Sequence, residues 1–80
     1  MVNEIILKKL IASYCFAPIE QINLSLEIKD NYVAAELKDK FATSICHEWR
    51  SLNSSQIHNE LFGTLKTGND VLMLIKTSMS

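Results

Sequence analysis

Eighty residues, 48% of them hydrophobic and 21% charged, with a formal net charge of −1, leave room for one modest core, since a chain this short buries only about 60–65% of its unfolded surface. This balance excludes a disordered or membrane-embedded chain. The eight basic residues (Lys8, Lys9, Lys29, Lys38, Lys40, Arg50, Lys66 and Lys76) are interleaved with nine acidic ones, so there is no basic arm to drive strong nucleic-acid binding through counterion release.

The apolar start is interrupted by Glu4, Lys8 and Lys9, too short and too charged for a spanning helix or a signal segment. Cys15 and Cys46 lack the close, repeated spacing of a disulfide framework and read as buried thiols of a reducing compartment. The expectation is a single cytoplasmic domain over residues 1–80 without a membrane partner.

In chain order, Leu7, Leu10, Ile11 and Tyr14 fall at i, i+3, i+4 and i+7 and predict a helix from about Glu4 to Cys15, with Asn3 as its N-cap. Pro18 makes the stretch from Phe16 to Gln21 a connection. Ile22, Leu24, Leu26 and Ile28 then alternate with polar residues and predict a half-buried strand. Lys29-Asp30-Asn31 reads as a tight turn, and Val33, Ala35 and Leu37 read as the return strand of a hairpin.

A second helix is expected from Asp39, with Ala42, Ile45, Cys46, Trp49 and Leu52 on one stripe and Phe41 at its edge. Asn53 followed by Gln56 resembles a capping pair that restarts a short helix, which Gly63 would stop as a C′ residue; a continuous helix from Asp39 to Phe62 is the alternative. Thr67-Gly68-Asn69-Asp70 reads as a turn and Val71 to Ile75 as a strand buried on both faces. The order α-β-β-α(-α)-β predicts an α+β fold: a small two-layer, KH-like domain whose three-stranded sheet is covered by helices.

The chemistry of an active site is not visible in this pattern. Cys46 and His47 are adjacent and diverge on a helix, and neither His58 nor Cys15 supplies zinc-ligand spacing, so no metal or cofactor is expected and an enzyme is the least favoured class. The two glycines, Gly63 and Gly68, do not form the Gly-x-x-Gly clamp of KH-type RNA binding.

From Lys29 to Phe41 the chain resembles the N-terminal domain of the bacterial replication initiator DnaA, in which an Asp-Asn turn, an apolar strand and a short polar link lead to a Phe opening the next helix. The start of the first helix, where Ile5 and Ile6 stand, and the position of Trp49 depart from that pattern. The resemblance implies a non-enzymatic interaction module of DNA replication or its control, recruiting the replicative helicase or a small regulator, with weak single-stranded DNA binding. It also implies that Phe41 contacts the helicase, flanked by Lys38 and Lys40 as a basic rim; the other reading of Phe41 is core packing against Leu37 or Tyr32. Val2 and Ile5 lie off the buried stripe of the first helix, where they would join two copies in a weak homodimer, unless Ile5 merely widens that stripe. A small inhibitor or antitoxin-like protein is the remaining alternative.

Overall fold

Leu7 and Ile11, one turn apart, are fully buried, with Ile6, Leu10 and Tyr14 half-buried beside them. This stripe holds the first helix, α1, Val2–Cys15, against the rest of the chain. The structure is a computed structural model that describes residues 2–79, with the side chains of all of these but Val2, Asp30 and Met79. Asn3 lies inside α1 rather than capping it, and its Oδ1 accepts a hydrogen bond of 3.1 Å from the Trp49 indole Nε1.

The expected α+β, KH-like architecture is not formed. Among the described residues there is no strand; α1 is followed by a single helical turn α2, Ile28–Asn31, then by α3, Lys38–Glu48, α4, Ser54–Glu60, and α5, Gly68–Met79, with short 3-10 turns at Ile19–Gln21 and Ala35–Leu37. The helix α3 lies on α4, and α1 lies against α5 and α3. Among the described residues no helix is long and apolar enough to cross a membrane.

The segment expected to be the first strand alternates in burial, not in hydrogen bonding. Ile22, Leu24 and Ile28 enter the core, while Leu26 is 44% exposed. Its backbone turns locally, with the Leu26 N–H on the Asn23 carbonyl at 3.2 Å and the Ser25 N–H on Asn23 Oδ1 at 2.9 Å. Its longer-range partner is the entry to α5: the Ile28 N–H donates to the Lys66 carbonyl at 2.8 Å, the Asn69 N–H donates to the Leu24 carbonyl at 3.0 Å, and Glu27 and Thr67 form one antiparallel bridge. The expected turn Lys29-Asp30-Asn31 belongs to α2, and of the expected return strand Val33 is buried while Ala35 is exposed in a 3-10 turn.

Between Asp39 and Phe62 there are two helices. The Asn53 side chain caps α4 by accepting from the Gln56 N–H at 3.1 Å, as the Asn-x-x-Gln spacing predicts. The end of α4 differs from expectation. The helix stops at Glu60, and the left-handed residue beyond it is Phe62, at φ 68°, not Gly63.

The run Val71 to Ile75 is helical: Val71, Leu72 and Ile75 are buried, whereas Met73 is 71% exposed. A reciprocal capping box starts α5. The Thr67 Oγ1 accepts from the Asp70 N–H at 3.2 Å, and the Asp70 Oδ2 accepts from the Thr67 N–H at 3.1 Å. Thr67→Val keeps the shape but removes the acceptor, and is expected to cost about 1 kcal/mol, read from urea unfolding followed through Trp49, the one tryptophan of the chain.

Phe41, Ile45, Ile57, Val71 and Ile75 meet α1 in a core completed by Ile22, Leu24, Ile28, Val33, Trp49, Leu52, Leu61 and Leu65. No buried side-chain nitrogen or oxygen among the described residues lacks a hydrogen-bond partner.

Candidate functional site

Phe41 is fully buried in the first turn of α3, its ring edge-on to that of Tyr14 with centroids 5.2 Å apart and planes at 83°. The core reading of Phe41 is therefore the one realised, and its ring reaches no partner while the chain is folded. Lys38 is half-buried and Lys40 exposed, so the expected basic rim has no apolar anchor between its two charges. Asp39 lies between them in sequence, and its Oδ1 is 3.2 Å from Nδ1 of His58.

Of the residues expected to join two copies, Ile5 is 50% exposed, so it does not widen the buried stripe; the side chain of Val2 lies outside the described residues. His58 is held by Asp39, and burial pushes the Cys46 thiol above its ordinary value, which disfavours the reactive thiolate. No group of three or more metal-ligating side chains occurs among the described residues.

The residue that stands out is one the sequence reading treated as plain connection. Phe16 follows the last residue of α1, is 95% exposed, and has φ 57°, the left-handed region. Its N–H still donates to the Ala12 carbonyl at 2.8 Å, so the chain leaves the helix through this residue. That position is where helices commonly place glycine, because an L side chain there crowds its own backbone. Its signal was present in the sequence: Pro18 two residues on marks a helix stop, and Phe stands where Gly or Asn is usual.

Where α1 lies beside α3, a shallow groove is lined by Ile6, Lys9, Leu10 and Ser13 of α1 and by Glu48 of α3. Ile6 and Leu10 are only partly covered by the core they pack on. Ser13 Oγ donates to the Leu10 carbonyl at 2.7 Å, so this hydroxyl is turned back along the helix. An exposed ring thus follows the C-terminal end of α1, and a partly apolar groove runs along the same helix before it.

No known protein family matches the chain, and no curated protein or solved structure is significantly similar to it.

Proposed function

We propose that the chain is a non-enzymatic protein-interaction module of the cytoplasm whose anchor is Phe16. One observation carries this reading: a large apolar ring, 95% exposed, sits on left-handed backbone. The left-handed backbone ends α1 at a position where glycine would be less strained, and strained backbone and exposed apolar side chains are both enriched at binding sites. A partner that buries the ring recovers about 1.5–3 kcal/mol. Recruitment of a protein partner is kept from the DnaA resemblance. Its replication setting is not, because it rested on a hairpin that the chain does not adopt and on an anchor, Phe41, that lies in the core.

The test sets stability against binding. Phe16→Gly relaxes the left-handed backbone and removes no buried contact, so it is expected to stabilise the chain by about 1 kcal/mol while weakening capture of the physiological partner. A partner isolated with the natural chain is purified and titrated against both proteins, and each is melted. A lower melting temperature for Phe16→Gly, or unchanged affinity, would show that the ring serves the fold or nothing at all.

A further inference from the structure

We propose that the cleft between α2 and the turn after α4 binds a nucleoside monophosphate, with the phosphate between Lys29 and Lys66 and the base against Phe62. This site goes beyond the reading of Phe16 and does not depend on it. Glu27, Lys29, Phe62 and Lys66 line the cleft, which measures about 180 Å³. The backbone that carries them is pinned on both sides. The Ile28 N–H donates to the Lys66 carbonyl at 2.8 Å, and Glu27 forms an antiparallel bridge with Thr67. In the turn after α4, the Gly63 and Leu65 N–H groups both donate to the Glu60 carbonyl, at 2.9 and 3.0 Å. The walls of the cleft are therefore set before a ligand enters, which lowers the ordering cost of binding.

Two observations specify the ligand. Lys29 and Lys66 are exposed, and among the described residues neither has an ion-pair partner, although Glu27 lines the same cleft. Two ammonium groups against one carboxylate leave an excess of positive charge here, in a chain whose net charge is −1. A phosphate monoester, with a charge of about −1.5 to −2 at neutral pH, answers both lysines, whereas a carboxylate answers one. The second observation is Phe62. It is half-buried, lines the cleft, and takes left-handed backbone at φ 68° although glycine is the next residue. Strained backbone is enriched at binding sites, and an aromatic residue there offers a flat face on which any base can stack. Glu27 adds an acceptor for an N–H of the base or an O–H of the ribose.

Size and charge favour one nucleotide over a strand. The cleft lies below the range of about 300–1,000 Å³ that encloses drug-sized ligands, so it suits a single small ligand. The remaining basic residues are interleaved with acidic ones and give no basic track for a polyphosphate backbone to follow.

The test is a titration of the isotope-labelled natural chain with adenosine monophosphate, followed through the backbone amide signals in low salt. Saturable shifts are expected around residues 27–29 and 62–66, with a dissociation constant of about 1 mM or below. Replacing both lysines, Lys29→Gln with Lys66→Gln, should raise that constant about ten-fold or more. Phe62→Leu keeps an apolar side chain but removes the flat face, and should raise it about five-fold or more. Amide spectra unchanged outside the cleft show that these variants are folded. Adenosine alone and inorganic phosphate alone should each bind about ten-fold more weakly than the nucleotide, and Phe16→Gly should bind it as the natural chain does.

No saturable shift up to about 10 mM nucleotide, shifts centred elsewhere, or equal affinity in the folded double-lysine variant would overturn the proposal. Inorganic phosphate bound as tightly as the nucleotide, or Phe62→Leu without effect, would overturn the place given to the base. A single-stranded oligonucleotide bound far more tightly than the monophosphate would overturn the choice of a single nucleotide, since the cleft would then be one contact along a longer track.

Discussion

Phe41→Ala is expected to lower the stability of the chain by about 3–5 kcal/mol, the range for removing a fully buried aromatic ring. The ring is completely shielded and meets Tyr14 edge-on, so truncation leaves a cavity between α1 and α3 and removes an aromatic pair. An 80-residue domain has about 4–12 kcal/mol in all, so the variant should be largely unfolded on modest warming, or at rest if the chain lies near the lower end. Urea titration followed by Trp49 fluorescence and by helical circular dichroism checks this. The two signals should move together to a lower midpoint. A change below about 1 kcal/mol, the size expected of a partly exposed side chain, would mean that the ring is not in the core. Any loss of partner binding in this variant follows from unfolding and is no evidence for contact at Phe41.

The second large effect is expected at Gly68, the first residue of α5. A methyl group there would meet the Leu24 Cδ2 atom, and also the Leu24 Cβ at 3.1 Å and Cα at 3.2 Å. The side-chain atom can rotate away; the Cα atom can move only with its backbone, which the Asn69 N–H bond to the Leu24 carbonyl, 3.0 Å long, holds in place. Gly68→Ala is thus expected to cost about 1–3 kcal/mol despite alanine's better helix propensity, because overpacking exceeds the gain. Gly63→Ala is the control. A Cβ there approaches nothing closer than the Glu60 carbonyl oxygen at 3.4 Å, an ordinary contact, so its effect should be small by comparison. Equal midpoints for the two variants would refute the close approach at Gly68.

The helices that could be read from sequence are those with a period or a cap to mark them. Leu7, Ile11 and Tyr14 identify α1, and Asn53 with Gln56 marks the start of α4 at the residue where it begins. The sheet was misread because alternation reports burial, not pairing. Ile22, Leu24 and Ile28 are turned inward by local turns and by two backbone bonds to the entry of α5, with no neighbouring strand. Val71 to Ile75 is a five-residue apolar run, which periodicity cannot assign to helix or strand. The deciding signal lay just before it, in Thr67-x-x-Asp70, a capping box that outweighs the turn character of Gly68 and Asn69. Phe41 stood open between two readings for another reason: the resemblance suggested a surface role, while its position beside Ala42 and Ile45 set it within reach of the buried stripe. Phe16 was passed over because a connection draws no attention until its backbone conformation and exposure are seen together.

The contact between residues 24–28 and 66–69 bears on the order in which the chain assembles. The bond from Asn69 to Leu24 closes a loop of some forty-five residues, whose entropic cost is roughly 3 kcal/mol beyond a length-independent constant. The α3–α4 pair needs only the short link from Trp49 to Asn53, and can dock while both ends of the chain are still searching. The α5 helix and the residues just before it bring Val71, Leu72 and Ile75 to the core and also the backbone partners of Leu24 and Ile28, so residues 24–28 gain their long-range backbone bonds only when α5 docks. Docking of α5 therefore adds the long-range bonds of this stretch after the α1–α3 and α3–α4 contacts, which close shorter loops.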